Sequence, residues 1–331
     1  MRQFAKATLT KVFRTQAFVA KRYDIQKRMR VDFDGRYVIR TFPWGTVFLD
    51  TSNYEDDRLA KFDVLEPQLQ HAFEALIKPN TIVLDIGANA GFHAILFASI
   101  LRRKQRSASS DNASRECPQG RVFAFEPAPT NARSIRRNLS LNPDHRVTLI
   151  EAAVTDYVGE AELRVMPESS YWQGCHSLVE NEKLATTHKG MTSSIKVEAV
   201  TVDKFLKKNE LASLVSLIKI DVEGAEPSVL RGAREIIERH RPAIVMEMSD
   251  GRARFMKWSP DDFPEILRSE AYRSFVMHKD GSMDALTAFD DYFGDAVNIP
   301  HACEELLLLP SDIAEPRGQT AAAVREDLGP A

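Results

Sequence analysis

Cysteine is scarce: three residues, Cys117, Cys175 and Cys303, occur in a chain of 331. They are odd in number, far apart and without C-x-x-C spacing, so neither a disulfide framework nor a cysteine zinc site is expected. That usage fits a reducing, cytoplasmic setting. No apolar run approaches the roughly 18 residues that cross a bilayer, and the N-terminus lacks a secretory hydrophobic stretch. Neither a span nor a cleaved signal is therefore expected. A formal charge of −3 gives no global pull towards nucleic acid. Internal repeats are missing, and so is the dinucleotide fingerprint G-x-G-x-x-G.

Positive charge is concentrated at one end. Residues 1–30 hold nine Lys or Arg against one acid, Asp24, with Leu9, Val12, Phe13, Ala17 and Ala20 on one helical face. This reads as a basic helix, either packed on the domain or resting peripherally on an anionic membrane surface. Two strand-like runs, Arg36 to Phe42 and Thr46 to Asp50, flank Pro43-Trp44-Gly45 and predict a β-hairpin. The expected organisation is an extension over 1–53, a domain over 54–310 and a disordered tail over 311–331. The domain carries a mobile polar insertion at 105–120 and a lid-like insertion at 157–200. Within it, the apolar spacing from Leu59 to Leu76 predicts one helix over 57–77.

The rest of the chain is organised around Val83 to Phe97, V-L-D-I-G-A-N-A-G-F-H-A-I-L-F. A buried strand runs into a turn with Gly87 and Gly91 and then into an apolar helix. Glycine permits positive φ and close approach of a ligand, and the helix start offers unpaired N–H groups. The spacing D-x-G-x-N-x-G, with Asp85 at the strand end, suits a ligand with positive charge and no phosphate. S-adenosylmethionine, a sulfonium with an α-ammonium, fits better than NAD or FAD. A second strand, Val122 to Phe125, ends in Glu126, placed to accept hydrogen bonds from ribose hydroxyls. The third strand is expected over Val147 to Val154, with Glu151 to Ala153 near an adenine ring. Strands alternating with helices in this order predict a doubly wound, mostly parallel α/β sheet of Rossmann-like type.

Downstream, Tyr157 to Ala199 holds two short strands around a loop with Tyr171, Trp172, Gly174, His176 and Ser177, read as a lid or acceptor platform or as a packed hairpin. The fourth strand ends in I-K-I-D-V-E-G-A-E, and a helix is expected over Ser228 to Arg239. A fifth strand, Ala243 to Met248, brings Glu247 to the same rim. Asp221 is the candidate general base for an alcohol acceptor, with Glu223 and His93 in reserve. Lys219 pairs with Asp221 or orients the acceptor. Capping of the following turn is the alternative for Asp221 and Glu223. Asp221, Glu223 and Glu247 also form an oxygen-ligand set for a divalent cation, although no metal site is predicted.

These stretches resemble the FkbM-type methyltransferases. The resemblance runs from about Glu66 to Pro310 and rests on four motifs in order: L-D-I-G-A-N-A-G-F-H, F-E-P-A-P followed by N-L-S-L-N, G-C-H-S-L, and I-K-I-D-V-E-G-A-E-x-x-V-L-R-G-A. It implies a class I methyltransferase sheet of seven strands with a reversed last strand. It also implies S-adenosylmethionine held by Asp85, Gly87, Asn89, Gly91 and Glu126. The acceptor it implies is a hydroxyl on a sugar, glycan or secondary metabolite. The alternatives are a non-catalytic S-adenosylmethionine-binding protein, or transfer to a lipid or nucleic acid. Nucleic acid is disfavoured, because the fourth strand lacks an N-P-P-Y-type tip.

Overall fold

The computed structural model describes residues 30–31, 36–62, 65–109, 120–167, 171, 176–178, 193–211, 213–248, 256–278, 282–293 and 305–316. The basic helix expected over 1–30 lies outside them, apart from Arg30. So do Trp172, Gly174, most of the 105–120 insertion and most of the 311–331 tail.

Three antiparallel strands, β1 (Arg30–Val31), β2 (Tyr37–Phe42) and β3 (Gly45–Asp50), come first. Phe42 pairs with Gly45 across the turn, and the Phe42 and Trp44 rings stack at 4.8 Å. The single helix expected over 57–77 is two, α1 (Tyr54–Phe62) and α2 (Pro67–Leu76). Glu66 breaks it with φ of 34°, because a residue before proline is crowded out of the right-handed helical region.

The main sheet is built from β4 (Ile82–Ile86), β5 (Arg121–Phe125), β6 (Val147–Ile150), β10 (Val215–Ile220), β11 (Ala243–Glu247), β12 (Tyr272–Met277), β13 (Met283–Ala285) and β14 (Glu305–Pro310). Its order is β13-β12-β14-β11-β10-β4-β5-β6. Contacts from β11 through β6 are parallel, and β14 runs antiparallel to both of its neighbours. The family resemblance implied seven strands; the eighth is β13, which adds three pairs to the open edge of β12. Its Met-Asp-Ala sequence has neither β-branched nor aromatic residues, so only edge pairing marks it as a strand.

The wholly buried strands are the ones that read as continuous apolar runs. Alternation divides their side chains between two cores. On one face Leu84, Ile86, Ile220, Ile244, Met246 and Leu308 meet the helices α5 (Val202–Lys208), α6 (Glu226–Gly232) and α7 (Arg234–His240). On the other, Val83, Leu217, Val245 and Leu307 face α2 and α3 (Phe92–Ser109). The helix α3 runs into the expected 105–120 insertion, taking in residues 105–109 as a polar last turn. The helix expected over Ser228 to Arg239 is interrupted at Ala233, between α6 and α7.

The third strand also divides. Residues 147–150 pair with β5, whereas β7 (Ala153–Val154) leaves to join a small sheet with β8 (Gly159–Val165) and β9 (Ser193–Val200), in the order β7-β9-β8. Asparagines of α4 (Pro129–Ser140) and the residues after it tie the first sheet to the domain. Asn138 Oδ1 accepts from Phe48 N at 2.7 Å while its Nδ2 donates to Ala90 O at 2.9 Å. Asn142 Oδ1 accepts from Thr46 N and its Nδ2 donates to Thr46 O. Among the described residues no helix is long and apolar enough to cross a membrane.

Candidate active site

A cavity of about 480 Å³ opens at the carboxyl ends of β4, β5 and β10, a volume typical of small-ligand sites. Its floor is the turn after β4. Gly87 has φ of 82°, and a Cβ there would sit 1.8 Å from the Asp221 carbonyl oxygen. Only glycine lets the two strand ends meet this closely. Asp221 N donates to Ile86 O at 2.9 Å, and the N–H groups of Gly87 and Ala88 both donate to Phe125 O. Three strand ends are thereby locked together. Asn89 takes a left-handed conformation with φ of 50°, which asparagine tolerates. Its N–H donates to Glu126 Oε2 at 2.9 Å, and Ala128 N donates to Glu126 Oε1 at 2.8 Å. Burial pushes the Glu126 carboxyl up to about 7, against those two amides and the Asn131 side chain, which pull it down.

Charge converges on the face of the sheet that meets α2 and α3. Lys219 pairs in register with Asp85 on β4, and Glu247 pairs with Glu305 on β14. Two residues beyond Lys219, Asp221 projects to the same side, with Lys219 Nζ donating to its Oδ2 at 3.0 Å. Burial pulls the Lys219 ammonium down, but Asp221, Asp85, Glu305 and Glu66 outweigh it and hold it above the ordinary lysine range. Burial raises the Asp85 carboxyl, opposed chiefly by Lys219. From the helical side, His93 Nε2 lies 2.9 Å from Glu66 Oε2. Burial would raise Glu66; pairing with His93 and the charge of Lys219 lower it instead.

The acids bordering the cavity are Glu55, Asp56, Glu66, Glu126, Asp221, Glu223, Glu247 and Glu305, against the permanent cations Arg58 and Lys219. Burial lifts Glu55 and carries Asp56 to about 7. Even with those acids partly neutral, the balance favours a cationic or uncharged ligand over an anion. One carboxylate oxygen from each of Asp221, Glu223 and Glu247 lies within 4.8 Å of the others, close enough to share a cation.

Of the residues singled out in the sequence, Gly87, Asn89, Glu126, Asp221, Glu223 and His93 line the cavity. Asp85 and Gly91 stand behind it. Asp85 is 0% exposed and serves the Lys219 cluster. Gly91, with φ of 83°, turns the chain into α3 where Ile135 would lie 3.2 Å from any Cβ. Sequence reasoning did not single out Glu55, Arg58, Glu66 or Glu305. Glu305 had a legible signal, a carboxylate opening the otherwise apolar strand E-L-L-L-L-P. Glu55, Arg58 and Glu66 had none, since their approach depends on the break between α1 and α2.

A sheet in this order, with its last strand reversed and a glycine turn and acid at the tips of its first two strands, is the class I methyltransferase fold. The chain matches the methyltransferase FkbM domain over residues 85–274 and belongs to that family. It is 28% identical over 180 residues to the 2-O-methyltransferase NoeI of Sinorhizobium fredii, covering 53% of this chain and 66% of that one. It is 27% identical over 203 residues to the 31-O-demethyl-FK506 methyltransferase FkbM of Streptomyces tacrolimicus, covering 55% and 70%. The crystal structure of a methyltransferase FkbM from Methylobacillus flagellatus aligns at 14% identity with a TM-score of 0.40, over 71% of this chain and 47% of that one.

Proposed function

We propose that this chain transfers a methyl group from S-adenosylmethionine to a hydroxyl oxygen of an uncharged acceptor, a sugar, glycan or secondary metabolite. The observation that carries this reading is Asp221, half-buried at the tip of β10, beside Gly87 and held by Lys219. The cofactor, when bound, supplies an electrophilic methyl on a sulfonium. The surrounding acids favour its two positive centres, and Glu126 has lone pairs for the ribose hydroxyls. The protein's task is to align the acceptor oxygen with the methyl group and take the hydroxyl proton as the new bond forms. Asp221 is our base, with its orientation fixed by the lysine, and Glu223 stands beside it. Two relatives named for O-methyl transfer support the choice of oxygen. The excess of acids disfavours phosphate-bearing acceptors, nucleic acid among them.

A methyl-transfer assay over simple glycosides and hydroxylated lipids, paired with calorimetry on S-adenosylmethionine, tests this. Asp221→Ala is expected to keep cofactor affinity within about twofold and to lose turnover by about 100-fold or more. Full turnover in that variant refutes the base assignment. Cofactor binding without transfer to any acceptor would favour a binding protein. A second reading is favoured by the closeness of the Asp221, Glu223 and Glu247 oxygens, which would let a divalent cation acidify the hydroxyl. Turnover unchanged in EDTA excludes it.

A further inference from the structure

The segment 176–178 forms a strap fastened on two sides through Ser177. Ser177 exchanges two backbone hydrogen bonds with Arg164 of β8, at 2.9 and 3.1 Å. Its hydroxyl donates to the Glu223 carbonyl at 2.8 Å, fastening the strap to the turn that follows Asp221. His176, 8% exposed, borders the cavity. Its Nδ1 accepts from Met166 N at 3.1 Å. A ring nitrogen that accepts carries no proton, so this network assigns the proton of the neutral ring to Nε2. Burial pushes the ring's pKa down to about 4, so the neutral form prevails across the physiological range. Nε2 is buried and has no hydrogen-bond partner among the described residues. Buried donors are rarely left unmet, and this one belongs to a side chain that borders the cavity.

A ligand oxygen that met this donor would belong to the acceptor half of the cavity. The strap is fastened at Glu223, beyond β10, whereas Glu126 lies beyond β5. Two strand spacings separate the two strand ends, roughly 10 Å. Nor is it the oxygen that attacks, since a donor there would withdraw the electron density that forms the new bond. We propose that His176 Nε2–H donates to a second oxygen of the acceptor and so orients it, and that His176 does not act as the base. The acceptor therefore carries a second oxygen besides the methylated hydroxyl, as a diol or hydroxy-ether does.

This role rests on the methyl-transfer reading, and the experiment separates the two. In the 331-residue chain labelled with ¹⁵N-histidine and saturated with S-adenosylhomocysteine, long-range ¹H–¹⁵N correlation is expected to give the Nε2–H pattern for His176. The pattern should hold from about pH 5.5 to 8. An Nδ1–H pattern, or a titration midpoint inside that range, overturns the donor assignment alone. Kinetics then use methyl glycosides of glucose, galactose, mannose and fucose. For the glycoside turned over fastest, His176→Ala is expected to raise acceptor KM about tenfold with S-adenosylmethionine affinity and the pH profile unchanged. His176→Gln, which offers both an acceptor and a donor, should restore KM. A fall in kcat with loss of the acidic limb of the pH profile would make His176 a base and overturn the proposal. If neither these glycosides nor hydroxylated lipids are methylated while the cofactor still binds, the transfer reading fails and takes the acceptor role with it.

Discussion

Lys219→Met is the most informative single perturbation of this site. The substitution keeps an unbranched stem of similar length in the layer of Leu217, Val245 and Leu307 and removes only the ammonium. What remains is a set of like charges that the lysine offsets, Asp85 and Glu305 buried, Asp221 and Glu66 partly exposed. Breaking a buried pair by removing one partner costs about 3–5 kcal/mol, a large part of the roughly 5–15 kcal/mol of a typical domain. The sign of the pH dependence follows from the acids left behind. Burial already raises Asp85, and without Lys219 its folded-state pKa rises further above the unfolded value near 3.9. An acid raised in this way contributes its full stability below the unfolded pKa and loses it as pH climbs through the folded pKa. The variant should therefore be nearly as stable as the parent in mild acid and much weaker in mild alkali. Urea unfolding at about pH 5 and pH 8 measures this, and each unit of further pKa elevation adds about 1.4 kcal/mol to the difference. An equal loss at both values would refute the electrostatic account and leave the lysine a packing role.

Three further outcomes are expected. Gly87→Ala places a methyl 1.8 Å from the Asp221 carbonyl at a φ of 82°, so the turn must shift; cofactor affinity should fall by about 100-fold, and parental affinity in calorimetry would contradict it. Burial pushes the Glu126 carboxyl up to about 7; if ribose hydroxyls donate to its ionised form, cofactor affinity should fall as pH drops from about 8 to 6, with proton release on binding. Glu126→Gln should weaken that dependence, leaving the part due to Asp56, and a flat parental profile in calorimetry would exclude the ribose role. Asn138→Leu strands the Phe48 N–H and the Ala90 carbonyl in a buried site, at about 1–3 kcal/mol each, and an unchanged melting temperature would show that neither bond matters.

The central strands were legible because a parallel strand covered on both faces must be apolar throughout, as Ile82–Ile86 and Val215–Ile220 largely are. Element ends were less so. The apolar spacing from Leu59 to Leu76 continues across the break between α1 and α2, and only Pro67 marks it. The polar residues 105–109 read as loop because their sequence carries no apolar face, yet they extend α3 as its last turn. Strand β13 was hidden for the opposite reason: three residues pair at an edge without any pattern of their own. The strands carrying Asp85, Lys219 and Glu247 could be read locally, but which strands lie side by side is a property of the folded sheet. No local pattern reports that Glu305, near the end of the chain, borders Glu247.

That adjacency determines how the site is held. Asp85, Lys219, Glu247 and Glu305 occupy the same alternation as Val83, Leu217, Val245 and Leu307, so each replaces an apolar side chain in the layer beneath α2 and α3. A carboxylate there without a cation would neutralise or destabilise the sheet, and a lone ammonium would do the same. Lys219 is thus tolerated because acids from two neighbouring regions of the sheet surround it, and they are tolerated because of Lys219. The cluster spends stability to fix the orientation of Asp221, whose pairing with Lys219 holds one oxygen while its N–H is bonded to Ile86 O beside Gly87. Since both constraints act on the same residue, losing either the lysine or the glycine should misplace the carboxylate. Only the glycine substitution, however, should also deform the turn that carries Asn89 and its bond to Glu126.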